Sequence, residues 1–268
     1  MTSSTFQVQA QPPGAAMALN ARASSQYTLK VAEARAALSQ AAAQFAGVDG
    51  GAATVVQASS LGAEDVVISH LINSLQLDIG VFVLETGRLH SETLALLEQF
   101  KASSRAPVTV YTPVQESVVQ FVAREGMDAM YKTIALRKEC CGIRKMEPLA
   151  RALAGKQAWI TGLRREQSGA RAEVPLVDTS EPRTKINPLA NWTWGDVWHY
   201  IRENGVAYNP LHDQFFPSIG CEPCTRAISL GEDFRSGRWW WEANLKGGAA
   251  KECGLHVKST ASHEKSKA

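Results

Sequence analysis

Thr54-Val55-Val56-Gln57-Ala58, running directly into Ser59-Ser60-Leu61-Gly62-Ala63-Glu64-Asp65 and then into residues 66–75, decides the fold. A short apolar run rich in β-branched residues reads as a buried strand. The small and polar residues after it mark a loop, and the apolar spacing that follows is helical. The same unit recurs downstream. Residues 79–84 form a second strand candidate, ending in Glu85-Thr86-Gly87-Arg88, with a helix following through Phe100. Residues 108–111 and 157–161 are third and fourth strands, the last running into Gly162-Leu163-Arg164-Arg165. Upstream, residues 32–45 read as an Ala-rich amphipathic helix closed off by Gly50-Gly51. Strands alternating with helices predict an α/β fold with a doubly wound, mostly parallel sheet, in which ligands bind at the loops beyond the strand ends.

Around that core, residues 1–26 read as a disordered leader rich in Ala, Ser, Gln and Pro, and residues 27–246 as one domain. The pattern turns irregular after about residue 205, and residues 247–268 read as a mobile tail. The leader lacks the basic head and apolar run of a secretory signal, and its single arginine, Arg22, argues against an organelle transit peptide. Lys and Arg number 28 against 26 Asp and Glu, so there is no basic excess to favour nucleic acid. No apolar run approaches the roughly 20 residues of a membrane span. The expected setting is cytoplasmic, where cysteines serve metal binding or catalysis more often than disulfides.

Three clusters suggest a bound anion. The loop over residues 59–65 lets backbone approach a ligand closely, and the helix after it offers free N–H groups and a positive dipole end. The loop is neither a Walker A sequence nor G-x-G-x-x-G, and taken alone it equally fits an ordinary strand-to-helix turn. Arg164, Arg165 and Arg171 crowd the polar loop after the fourth strand, and Arg235 and Arg238 precede Trp239-Trp240-Trp241. Arginine forks suit phosphate and sulfate oxygens, although a solvated surface loop would look the same.

The five cysteines divide into four clustered thiols and one alone. Cys140 and Cys141 are adjacent, Cys221 and Cys224 form a C-x-x-C, and Cys253 stands in Lys251-Glu252-Cys253-Gly254-Leu255-His256. A C-x-x-C serves zinc, iron–sulfur clusters and dithiol redox pairs alike. Neighbouring residues on a helix diverge by roughly 100°. Two adjacent thiols therefore reach one small ion awkwardly and two irons of a cluster more easily, and four thiolates are the usual complement of a [4Fe–4S] centre. Zinc and four unligated buried thiols remain as alternatives. Lys251 and His256 near Cys253 would favour its thiolate, the reactive form, although an incidental surface cysteine fits the same residues. His199, in a Trp-rich helical stretch, reads as structural.

Taken in order, these motifs resemble the assimilatory adenylyl-sulfate reductases, the iron–sulfur branch of the phosphoadenylyl/adenylyl-sulfate reductase family. The resemblance covers roughly residues 50–257. It rests on the 59–65 loop, Leu84-Glu85-Thr86-Gly87-Arg88, Cys140-Cys141-Gly142-Ile143-Arg144-Lys145, Thr161-Gly162-Leu163-Arg164-Arg165-Glu166-Gln167-Ser168, Gly220-Cys221-Glu222-Pro223-Cys224-Thr225-Arg226 and the segment around Cys253. Each motif is weak alone; the ordered set is specific.

The resemblance implies an adenine nucleotide α-hydrolase-like (ATP-pyrophosphatase type) fold, a [4Fe–4S] cluster on Cys140, Cys141, Cys221 and Cys224, and Cys253 as nucleophile. Adenylyl sulfate would lie with its nucleotide against Ser59, Ser60, Gly62, Ala63, Glu64, Asp65, Leu84, Glu85, Thr86, Gly87, Arg88 and Gly162. Its phosphosulfate would meet Lys145, Arg171, Arg235, Arg238 and His256. The implied reaction is thioredoxin-dependent reduction of adenylyl sulfate to sulfite and AMP through an S-sulfocysteine, in sulfate assimilation and cysteine biosynthesis. A homo-oligomer is also implied, with the tryptophan run as an interface candidate. Two residues depart from the common pattern: Leu61 stands where many relatives have Ser, and Glu85 where Asp is commoner. Those departures put two nucleotide contacts in question. The alternatives are a reductase of 3′-phosphoadenylyl sulfate or of both nucleotides, an ATP-dependent enzyme on the same fold, and an iron–sulfur sensor. The ATP-dependent enzyme would want a Ser-Gly-Gly-x-Asp-Ser loop, which the chain lacks.

Overall fold

Alternation along the strands builds a sheet with apolar residues on both faces. In the computed structural model, which describes residues 14–47 and 51–244, β1 (Val55–Ser59) lies at the middle of a six-stranded sheet. The other strands are β2 (Gly80–Leu84), β3 (Val108–Tyr111), β4 (Ala158–Ile160), β5 (Val177–Asp178) and β6 (Thr184–Ile186), in the order β3-β2-β1-β4-β6-β5. All pairings are parallel except β5 with β6. Val55, Val81, Val83, Ala158 and Ile160 enter the larger core on one face, while Val56, Phe82 and Trp159 enter a smaller core on the other. Buried on both faces, the central strands read as apolar runs, as parallel strands do.

Helices cover both faces. On the larger-core side lie α2 (Tyr27–Gln44), α3 (Ala63–Ser74), α4 (Ser91–Ser103) and α8 (Trp194–Asn204), which supply Leu38, Ile68, Leu96 and Trp198. On the other side α7 (Glu147–Ala152) packs on β2 and β3, with α5 (Gln115–Glu125) and α6 (Ile134–Cys141) leading to it. The chain steps from β1 outward to β2 and β3, then returns to place β4 on the other side of β1. The strand order therefore reverses between β1 and β4, the position where a crevice opens at the carboxyl ends of a doubly wound sheet.

Two expectations change. The leader is structured from Gly14 onward: α1 (Ala15–Asn20) buries Ala16 and Met17 and packs on α8. Ala16 and Met17 supply the buried side that the overall composition of the leader conceals, while Ala15, Ala18 and Leu19 are exposed. Asp196 then holds the chain after α1. It accepts from Ser24 N (2.7 Å) and from Lys30 Nζ (2.8 Å), and it completes a capping box with Thr193 at the start of α8. Burial pushes Asp196 up, but these donors outweigh it and hold the carboxyl at about 2. Residues 1–13 of the expected leader, and the whole expected tail, lie outside the described residues. The second change is the pair β5 and β6, short strands that widen the sheet beyond β4.

Candidate active site

Register brings the loops after β1, β2 and β4 to one edge: Ser59 pairs with Val83 and Gln57 with Ile160. The β1 loop is held from within. Asp65 Oδ2 accepts from Ser60 N and from Ser60 Oγ, both at 2.7 Å, and Ser59 Oγ accepts from Leu61 N. Gln57, fully buried on β1, donates to Asp65 O and accepts from Ser69 Oγ, locking the strand to the first turns of α3. Leu61 takes a left-handed backbone (φ 59°), which puts its side chain into the larger core. Position 61 thus faces the core, and the departure from Ser seen there removes no group that lines the crevice. Burial, helped by the charge of Glu64, pushes Asp65 up to about 6 against the Ser60 hydrogen bonds.

The loop after β4 closes over the same edge. A Cβ on Gly162 would sit 2.5 Å from Asp65 Oδ1 and 2.9 Å from Glu64 Cβ, so the two loops touch here only because position 162 lacks a side chain. Arg164 is 1% exposed. It pairs with Glu64 (2.8 Å) and Glu166 (2.9 Å), bonds Trp192 O, and lies over the rings of Trp194 and Phe234. Gln167 donates to Glu64 (3.0 Å) and accepts from Arg171 (2.5 Å). Burial raises the cost of charging Glu64, but Arg164 and Gln167 outweigh it and hold the carboxyl below the usual range. Arg165 is occupied by Val174 O and Asn191. Of the three arginines in this loop, only Arg171 lines the crevice; Arg164 and Arg165 build the loop.

Ser59, Ser60, Gly62, Glu64, Asp65, Leu84, Thr86, Lys145, Gly162, Arg171, Arg235 and Arg238 line one cavity. Residues beyond the sequence reading complete it. Phe82, Leu149 and Trp159 supply an apolar wall that reaches into the smaller core, and Thr93, His212 and Ser218 add polar groups. The cavity thus combines a flat apolar wall with four cations, the complement of an anion attached to an aromatic ring.

Four of the expected contacts are placed elsewhere. Ala63 is fully buried in the first turn of α3. Glu85 accepts from Gly87 N (2.7 Å), closing its own turn. Gly87 (φ 70°) supplies the left-handed residue of that turn and lies against Arg144. Arg88 lines a second, smaller cavity and stands 3.9 Å from Asp128.

That second cavity gathers Cys140, Cys141, Cys221 and Cys224 with Arg88, Arg137, Arg144, Lys145 and Trp239. Cys140 and Cys141 end α6, and a π-helical turn, Gly142–Met146, follows at once. Such wide turns are frequent at functional sites. The C-x-x-C loop is pinned to the β2 loop: Thr86 Oγ1 and Cys221 Sγ are 3.3 Å apart, and Arg88 O accepts from Glu222 N (2.8 Å). Arg144 Nη1 donates to Thr86 O (2.7 Å). Lys145 lines both cavities. Burial pushes the Cys224 thiol up to about 11, aided by the neighbouring Cys221. Burial also raises Cys140, against the pull of Arg144.

Among the described residues, no three His, Cys, Asp or Glu side chains stand as a ligand set for a single metal ion. The four cysteines line a shared space, with cations on its wall and, on Trp239, a buried Nε1 that meets no acceptor. Of the tryptophan run expected as an interface candidate, Trp239 is buried, while Trp240 and Trp241 are half-buried. Trp239 is buried against Met130, Cys221 and Cys224, and Trp241 meets Tyr131 edge-on at 4.5 Å. His199 contacts Glu203 (3.1 Å) and the ring of Tyr27 on the protein surface. Cys253 and His256 lie outside the described residues.

The sequence profile of the phosphoadenosine phosphosulfate reductase domain matches residues 54–227. An adenosine 5′-phosphosulfate reductase of Allochromatium vinosum is 48% identical over 215 residues, covering 80% of this chain and 82% of its own. One from Burkholderia cepacia is 51% identical over 202 residues, covering 75% and 79%. Among solved structures, a phosphoadenylyl-sulfate reductase from Candida auris superposes with a TM-score of 0.59 at 26% identity, over 74% of this chain and 92% of that one. An FMN adenylyltransferase from Candida glabrata, at 12% identity and a TM-score of 0.54 over 88% and 82% of the two chains, shares the fold alone. With a profile match spanning the sheet and its loops, and relatives near half identity over most of its length, the chain belongs to the phosphoadenosine phosphosulfate reductase domain family.

Proposed function

We propose that the chain reduces adenylyl sulfate to sulfite and AMP. One observation carries the proposal. The cavity at the β1/β4 switch point, with Lys145, Arg171, Arg235 and Arg238 on its wall, adjoins the four-thiol cavity, and Lys145 borders both. The names of its relatives supply the substrate.

The aromatic wall of Phe82 and Trp159 would take the base, and the four cations the phosphosulfate. The Cys253 thiolate attacks the sulfur of adenylyl sulfate. The sulfur–oxygen bond to the phosphate breaks, AMP departs with that electron pair, and the enzyme holds an S-sulfocysteine. Negative charge grows on the phosphate oxygen as that bond breaks. Cations fixed there therefore stabilise the transition state more than the ground state. A thioredoxin thiolate then attacks the Cys253 sulfur, sulfite leaves, and the second thioredoxin thiol resolves the mixed disulfide. Both electrons come from thioredoxin.

Cys140, Cys141, Cys221 and Cys224 would hold a [4Fe–4S] cluster. The four cysteines line one space and are the usual donor set of such a cluster, and Arg88 and Arg144 on the same wall would offset its charge. When bound it supplies a fixed anionic body beside Lys145. Replacing Cys253 by Ser is expected to leave the cluster absorbance unchanged and to abolish sulfite formation; sulfite turnover by Cys253→Ser would remove Cys253 from the mechanism.

A further inference from the structure

His212 lines the nucleotide cavity yet has no part in the chemistry above. It sits in the 3-10 turn Pro210–Gln214, whose position is fixed at several points. Asn209, 1% exposed, caps the turn through Leu211 N (3.1 Å) and donates to Thr93 Oγ1 (2.8 Å), itself on the cavity wall. The imidazole packs edge-on against Trp194 and Trp198, at 5.9 Å and 5.4 Å between ring centroids.

The hydrogen bonds of the ring fix its chemistry. Nδ1 is 2.8 Å from Phe216 O, a carbonyl that can only accept, so Nδ1 carries the proton. Burial pushes the ring down to about 4, leaving it neutral at physiological pH. Nε2 is then a bare lone pair. His212 is 6% exposed, and its Nε2 meets no donor from the protein. A buried polar atom without a partner is destabilising, so it favours any ligand that brings one. Of the charges that act on the ring, Glu64 on the cavity wall comes first, ahead of Asp213.

We propose that His212 Nε2 accepts a hydrogen bond from a donor group of the bound nucleotide, and that this contact selects nucleotides carrying a donor at that point. The proposal rests on the reading of the cavity as an adenine-nucleotide site. Nε2 is shielded from solvent, and His212 also borders the neighbouring cavity beside Trp194 and Phe215, so the proposal requires a side chain of the nucleotide-cavity wall to move aside when the nucleotide binds. An adenine nucleotide offers three such donors: the 2′-hydroxyl, the 3′-hydroxyl and the 6-amino group. A phosphoester placed at the same point would set oxygen lone pairs against the Nε2 lone pair. Selection of this kind is strong because the mismatched ligand leaves buried polar groups unpaired.

The test is calorimetric titration of the full chain and of His212→Phe with AMP, 2′-deoxy-AMP, 3′-deoxy-AMP and the 6-unsubstituted purine analogue of AMP. His212→Phe is expected to lose roughly ten-fold in AMP affinity, the size of one hydrogen bond with its unpaired partner. One analogue should bind the native chain more weakly and lose nothing further on His212→Phe; that analogue names the donor. An equal loss for all four ligands marks a purely structural role and overturns the proposal, as does no loss at all. In the native chain labelled with ¹⁵N-histidine, saturating AMP should move the unprotonated Nε2 resonance toward the protonated range while Nδ1 keeps its proton. An unmoved Nε2 signal overturns the proposal without any variant. If AMP fails to bind the native chain, the nucleotide-site reading itself falls, and this contact with it.

Discussion

At the scale of single residues, Asp65 shows how the site spends stability. Its carboxyl is buried beside Glu64 and titrates at about 6, whereas an ordinary aspartate titrates near 3.8. The folded chain therefore binds more protons than the unfolded chain between about pH 4 and pH 6, and by linkage the Asp65 contribution to stability falls as pH rises through that window. Asp65→Asn keeps an oxygen for the Ser60 donors and removes the buried charge. Urea unfolding should find Asp65→Asn more stable than the native chain near pH 7.5 and level with it near pH 4; an offset equal at both pH values would contradict this reading. The sequence displayed the residues of this loop but not their division of labour. Arg164 and Arg171 look alike in a string of letters. Only the buried Glu64 partner commits the first to scaffolding, while the second reaches the cavity. Gln57 did carry a legible signal, an amide in an apolar strand, which in a buried position must find partners.

At the scale of elements, the central strands were legible because their apolar runs are short and bounded by loop residues, and the structure moves their ends by a residue or so. β5 and β6, of 2 and 3 residues, are too short to show a period, and α1 is a helix of 6 residues whose burial depends on α8. The junction of α6 with the tryptophan segment had no sequence signal either, since Arg137 and Glu242 are 105 positions apart. Their ion pair, at 2.6 Å with both side chains 4% exposed, fixes the segment after the C-x-x-C onto the helix that carries Cys140 and Cys141. Arg137 also lies over the Trp239 ring at 4.6 Å. Removing one partner strands a buried charge, so Arg137→Leu should cost about 3–5 kcal/mol, while replacing both partners with apolar residues should recover most of it. Thermal unfolding of the two single variants and the double variant reads the coupling. Strictly additive losses would mean that the pair holds nothing together.

For the whole molecule, topology does most of the positioning. The reversal of strand order between β1 and β4 opens one crevice, and three of the loops bordering it carry most of the nucleotide-site residues read from the sequence. The β2 loop runs from that crevice to the C-x-x-C, and the π-helical turn sets Lys145 between the two cavities. Long-range closure of this kind follows from the fold and not from any local pattern, which is why the motifs were readable one at a time while their arrangement around two adjoining cavities was not. The described residues contain no helix long and apolar enough to cross a membrane. The central claim is a nucleotide cavity that serves sulfur reduction beside a four-thiol centre. It is tested most directly by thioredoxin-dependent sulfite release from anaerobically purified protein, with adenylyl sulfate and its 3′-phosphorylated form assayed in parallel. Sulfite from adenylyl sulfate, with little or none from the 3′-phosphorylated form, is the expected result; no sulfite from either nucleotide, with the cluster intact, would contradict the account.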